Sequence, residues 1–168
     1  MILLFQFTLL LSTSLAAKTL VVTPARAEQS SDYYSDKNFA SWAIDGDLST
    51  GSSTANGADN WLRVYFSTDL EVGKVVLERG WQPGATCTYQ LFIYQGDTKY
   101  PCGDKVTFPY GRYYTGYDNT TMDCGGKRGG SVVLQQSVCG NYIGVQEIKV
   151  YLPESGPYPG EDQGGFDN

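Results

Sequence analysis

The chain has 168 residues, with 12 Lys and Arg against 18 Asp and Glu, a net charge of −6, and no histidine. A chain this acidic is poorly suited to holding nucleic acid, or anionic lipid by charge alone. Without histidine, a Ser-His-Asp triad, a Cys-His pair and a histidine-bound zinc site are all excluded.

Residues 1–17, MILLFQFTLLLSTSLAA, read as a secretory signal peptide: an apolar run over 2–11, then Ser14-Leu15-Ala16 as a small-x-small cleavage pattern. The run is too short to span a bilayer, which takes about 20 apolar residues, and no later stretch approaches that length. The expectation is a secreted, extracellular chain starting near Ala17 or Lys18, with one domain over residues 18–152. The acidic tail, 153–168, has too few apolar groups to offset its ordering entropy and is expected to be disordered.

Residues 18–22, KTLVV, predict the first strand. Residues 25–37 are polar and predict a loop that holds Ser30-Ser31 and the pair Tyr33-Tyr34. Paired tyrosines in such a loop can form a ligand platform or serve as half-buried anchors, and the residues alone leave both open. Next, Asp45 and Asp47 straddle Gly46, so the backbone can turn sharply while two short carboxylates point toward one place. Calcium takes about six to eight oxygens, and residues 42–53 are rich in them. A plain Asp-Gly turn with its carboxylates capping backbone amides uses the same residues. Carboxylates this close converge on a cation more readily than they flank a sugar ring, so no catalytic pair is expected.

In residues 61–66, Leu62, Val64 and Phe66 fall on one face and Arg63 and Tyr65 on the other, the period of a half-buried strand. A second strand over 72–78 places Val75 and Leu77 inward, and a loop over 79–84 presents Arg79 beside Trp81. A strand over 88–94 alternates Tyr89, Leu91 and Ile93 with Gln90, Phe92 and Tyr94, and Gln95-Gly96-Asp97 supplies the turn. Shorter strands are predicted over 105–108, 131–135 and 142–152, the last with Ile148, Val150 and Leu152 on one face. Lys127 and Arg128, in CGGKRGG, read as a solvated glycine-rich turn. No segment carries a helical apolar stripe. The fold class is therefore all-β, an antiparallel β-sandwich or jelly roll with strands punctuated by 20 glycines.

Four cysteines in a secreted chain, with no Cys-x-x-Cys pair, point to two disulfides. Three pairings are possible; the nested one, Cys102 with Cys124 and Cys87 with Cys139, is preferred. Asn119-Thr120-Thr121 is an N-glycosylation sequon.

Ser30-Ser31, FASWAIDGDLST over 39–50, NWLRVYF over 60–66 and GVQEIKVYL over 144–152 together resemble the discoidin, or coagulation-factor type C, domain. The likeness covers about residues 18–152. It implies a galactose-binding-like β-sandwich, a fold that includes the fucolectins, with ligands taken at loops at one end: here 30–37, 51–60 and 79–86. It also implies a structural calcium held by the Asp45 side chain, the carbonyls of Trp42 and Asp47, oxygens of Ser52 or Ser53, and Glu147.

The departures are as informative. The fucolectin sugar site resembles a His, then Arg-x-Asp, then a second basic residue; here Arg79 matches, Trp81 and Thr86 replace the Asp and the second cation, and histidine is absent. Gly51 stands where many discoidin domains have a Trp, and Tyr65 where the strand motif has an Asp. Arg79 and Trp81 still combine a donor for axial hydroxyls with an aromatic face, or else Trp81 packs on the sandwich end while Arg79 pairs with a carboxylate such as Glu78. The implied function is a non-catalytic module binding an extracellular glycan or glycoprotein. The rivals are a matrix or adhesion protein working through protein contacts, and a membrane-surface binder using Tyr33, Tyr34 and Trp81 as loop-tip aromatics. No coiled coil or other assembly motif marks an oligomeric state.

Overall fold

The computed structural model describes residues 20–78, 87–108, 119–138 and 140–154. The predicted signal peptide, Arg79, Trp81, Thr86, Cys139 and most of the predicted tail lie outside them.

Alternation of apolar and polar residues dictates the longest elements. Strand β4 (Trp61–Glu78) buries Leu62, Val64, Phe66, Val72, Val75 and Leu77. Strand β5 (Cys87–Gln95) buries Tyr89, Leu91 and Ile93 on the same pattern. Each such Leu, Ile or Val contributes about 1.5–3 kcal/mol by leaving water. The remaining strands are β1 (Val21–Val22), β2 (Arg26–Gln29), β3 (Ser52–Ser53), β6 (Thr98–Phe108), β7 (Thr120–Val138), β8 (Gly144–Val145) and β9 (Glu147–Tyr151), with one 3-10 turn at Ala40–Ala43. All pairings are antiparallel.

Strand β4 builds both layers of the sandwich. Its first half pairs with β2 (Leu62↔Gln29 to Tyr65↔Arg26) and its second half with β9 (Lys74↔Tyr151 to Glu78↔Glu147). Strand β7 accompanies it through both halves, with a register shift between Tyr65 and Leu70 where the ribbon turns the corner. One layer is thus β2–β4–β7–β5–β6 and the other β1–β9–β4–β7, and the shared core holds Leu62, Val75, Leu91, Leu134, Ile148 and Val150. Because the ribbon doubles back, the start of β4, its end at Glu78, the start of β5 and the start of β9 gather at one end. Backbone bonds close that end: Ser53 pairs with Gly144, and Thr54 N–H donates to the Ile143 carbonyl at 3.0 Å.

Three expectations change. Residues 26–29 form strand β2 within the predicted polar loop, because RAEQ is held by its ladder to β4 rather than by apolar alternation. The strands predicted over 61–66 and 72–78 are one strand with a bulge. Lys127 and Arg128 are not in a turn: they pair with Val72 and Glu71 inside β7, and the glycines before them form a bulge, Gly125 and Gly126 having φ of +60° and +72°.

The disulfide Cys102–Cys124 ties β6 to β7, as the nested pairing predicts. Cys87 is disulfide-bonded; its predicted partner, Cys139, lies outside the described residues.

Candidate functional site

The loop end contains two differently built regions. In the first, the loop after β2 is clamped at its base. Gln29 Nε2 lies 2.8 to 3.1 Å from the carbonyls of Asn38 and Ser53 and from Asp32 Oδ1, its two protons shared among the three. Tyr33 N–H donates to the Ser53 carbonyl, and Asn38 takes a positive φ of 62° to close the loop. Ser30 Oγ donates to Asn60 Oδ1, and Ser31 Oγ accepts from Ala55 N–H. Asn60, 5% exposed, also reaches the carbonyls of Ala55, Gly57 and Asn141 through Nδ2, at 2.8 to 3.2 Å. This explains Ser30-Ser31: both hydroxyls staple the loop to residues 55–60.

On that base stand three tyrosines. Tyr33 packs edge-on against Tyr34 with ring centroids 4.6 Å apart and against Tyr142 at 5.5 Å, and Lys37 Nζ lies over the Tyr34 ring. Tyr33 and Tyr34 are 40% and 47% exposed. They are neither core anchors nor free spikes; they form an exposed aromatic surface. Tyr142 was not singled out in the sequence because it lies over a hundred residues away and reaches Tyr33 only through the β3–β8 pairing.

The second region is the Asp45–Gly46–Asp47 turn. Asp47 N–H donates to Asp45 Oδ1 at 2.9 Å, and Gly46, at φ +78°, turns its N–H to Glu147 Oε2 at 3.1 Å. The Asp47 carboxylate accepts the Ser49 N–H and hydroxyl, which hold its pKa below the usual carboxylate value. Glu147 is 5% exposed, and its carboxyl is pushed up to about 7, first by burial and further by the Asp45 and Glu78 charges, against the Gly46 N–H and Lys149. Lys149 itself pairs with Glu78 at 2.8 Å, which raises its own pKa. Thr50 Oγ lies 2.8 Å from both Asp45 Oδ2 and the Asp47 carbonyl, and its single proton cannot serve both.

This donor set is oxygen-rich and short of protons, which fits a hard cation such as calcium. Among the described residues no three His, Cys, Asp or Glu side chains group as a metal site. A cation here would therefore draw on hydroxyl and carbonyl oxygens beside the two carboxylates. Of the residues expected as ligands, Asp45, Asp47 and Glu147 come together. Trp42 sits in the 3-10 turn with its ring against Phe39. Ser52 and Ser53 are buried in β3, the Ser52 hydroxyl donating to the Val145 carbonyl and the Ser53 carbonyl bonded to Tyr33 and Gln29. Thr50, not singled out in the sequence, stands beside the Asp45 carboxylate. Arg79 and Trp81 lie outside the described residues, in the connection between β4 and β5.

No family model and no curated protein matches the sequence. Solved structures do match the fold. The family 32 carbohydrate-binding module of Clostridium perfringens NanJ, solved with galactose, superposes with a TM-score of 0.65 at 14% identity, over 80% of this chain and 99% of that one. A fucolectin from striped bass (Morone saxatilis) serum gives 0.60 at 20% identity, over 76% of this chain and 45% of that one. A pectin-binding carbohydrate-binding module gives 0.62 at 12% identity, over 81% and 96%. The chain has the galactose-binding-like, discoidin-type β-sandwich fold that its motifs resemble.

Proposed function

We propose that this protein is a secreted, non-catalytic carbohydrate-binding module that takes an extracellular glycan at the loop end, beside a structural calcium. The observation that carries the reading is the exposed pair Tyr33 and Tyr34, backed by the half-buried Tyr142, on a loop bonded down along its base. A sugar stacks its C–H face on tyrosine rings and hydrogen-bonds its hydroxyls to phenols and to Lys37. A pre-bonded loop loses little entropy on binding. The shared fold of galactose-bound and pectin-binding modules supports the same reading. Arg79 and Trp81 are assigned as further contacts, the guanidinium to hydroxyls and the indole to a ring face.

Calcium would be held by the Asp45 and Glu147 carboxylates, the carbonyls of Trp42 and Asp47, and the hydroxyls of Thr50 and Ser52. Its contribution is electrostatic: it offsets two facing carboxylates and pins the turn. Asn119, exposed just before β7, is assigned as the attachment point of an N-linked glycan.

The test is a glycan array probed with the secreted chain, with calcium and then with chelator. Binding to galactose-bearing glycans that falls at least tenfold in Tyr34→Ala and weakens with chelator is expected. Silence across the array, with an unchanged circular dichroism spectrum, would contradict the reading and favour a protein-contact role.

A further inference from the structure

The outer face of the layer β2–β4–β7–β5–β6 runs along the strands away from the loop end, which it meets at Trp61, and is organised around Arg63. Strand register sets one row as Arg26, Tyr65, Ser131, Tyr94 and Lys99. The next row places Arg63 between Glu28 and Val133, with Phe92 beyond. The Arg63 guanidinium lies 4.6 Å from the Tyr65 ring centroid and 4.8 Å from that of Tyr94, and its Nε donates to Ser131 Oγ at 3.0 Å.

The other cations of this face and of the opposite layer are differently occupied. Arg26 pairs with Glu28 and covers the Tyr65 ring, while Lys149 and Lys74 have carboxylate partners in Glu78 and Glu154. Arg63 is half-buried between two rings, and among the described residues it has no ion pair. The Glu28 carboxylate opposite it is taken by Arg26 and by the Tyr65 hydroxyl at 2.6 Å. Two Nη groups of a planar fork are therefore left over a half-buried aromatic floor.

Charge points the same way. The chain carries −6, yet the charged residues of these two rows are Arg26, Arg63 and Lys99 against Glu28 alone. Lys99 Nζ lies over the Phe92 ring, 4.6 Å from its centroid. Trp61, two side chains along the same face of β4 from Tyr65, extends the aromatic floor by about 13 Å, a length that suits an extended chain rather than one sugar ring.

We propose that this sheet face is a second binding surface, distinct from the loop end, for an unbranched polysaccharide bearing carboxylates. A uronate carboxylate would accept the two Nη donors of Arg63 in a fork. The sugar rings on either side would lie on Phe92, Tyr94 and Trp61, with Lys99 and Arg26 at the rims.

The experiment is affinity electrophoresis of the full chain in polygalacturonate and in its fully methyl-esterified form, which keeps the sugar and removes the charge. Retardation by polygalacturonate at least tenfold stronger than by the ester is expected. It should fall tenfold or more in Arg63→Gln and in Tyr94→Ala, and persist in Lys127→Gln, which removes a charge from β7 outside these rows. Arg63→Lys should recover only part of it, because an ammonium lacks the fork. Equal retardation by both polymers, no retardation of the wild type, or full retardation of a folded Arg63→Gln would overturn the proposal. Loss in Tyr33→Ala with retention in Arg63→Gln would also overturn it, assigning the polymer to the loop end instead. Thermal denaturation of each variant separates lost binding from lost fold.

Discussion

The clamped tyrosine loop and the Asp45 turn lie side by side, yet the first is rich in amide donors and the second is short of protons. Around Asn60 and Gln29 the amide donors find carbonyls, while among the described residues the buried Gln29 Oε1 has no partner. Around Asp45 and Glu147 the carboxylates repel one another, Glu147 taking the Gly46 N–H and Asp45 sharing the Thr50 hydroxyl proton with the Asp47 carbonyl. The first region holds an exposed aromatic surface in shape. In the second, the proposed cation would add stability.

Substituting Asn60 should have the largest effect on this contrast. Asn60→Ala removes a buried amide whose two protons are shared among three carbonyls and should destabilise the fold by about 3 kcal/mol, read from the midpoint of a urea titration. By contrast, the Asp45 region should respond to solution conditions more than to deletion. Calcium at a hundred times its dissociation constant should add about 2.7 kcal/mol, and Glu147→Gln should abolish most of that gain.

The pH dependence sharpens the comparison further. Without calcium, Glu147 has a folded pKa of about 7, above its unfolded value of 4.5, so the folded chain binds the proton more tightly. Its contribution is fully present below pH 4.5 and is lost as pH rises through about 7. Thermal midpoints in chelator should therefore fall across that window, and Glu147→Gln should flatten the slope. Asp47, with a lowered folded pKa, works in the opposite sense at more acidic pH: its contribution is present above its ordinary value of 3.8 and lost as pH falls below it. The smallest expected effect is that of Tyr34→Ala on stability, within about 0.5 kcal/mol for an exposed side chain, although the same change should remove glycan binding.

Much of this was legible in the sequence where alternation was strong. Leu62, Val64 and Phe66, and Tyr89, Leu91 and Ile93, lie inward as their spacing requires. Strand β2 was not legible, because Ala27 is the one apolar residue in RAEQ and pairing to β4 decides its conformation. The CGGKRGG run misled because glycine marks turns and close approaches alike. A Cβ at Gly129 would collide with the Tyr94 carbonyl and the Ile93 side chain, so this glycine is required by packing within the strand.

At the site, Asp45 and Glu147 were legible because short motifs carry them. Tyr142 was not, since only the β3–β8 pairing brings it to Tyr33. Thr50 was missed because a hydroxyl in a Ser- and Thr-rich loop stands out only once its distance to Asp45 is known.

The most direct measurement is an NMR titration of the full chain with galactose and with galacturonate, following the ring protons of Tyr33, Tyr34 and Tyr142. The account predicts saturable shifts of these rings with at least one of the two sugars, while the Tyr65 and Tyr94 rings stay unmoved by galactose. Unshifted loop tyrosines at saturating concentrations of both sugars, in a chain with native dispersion, would contradict it.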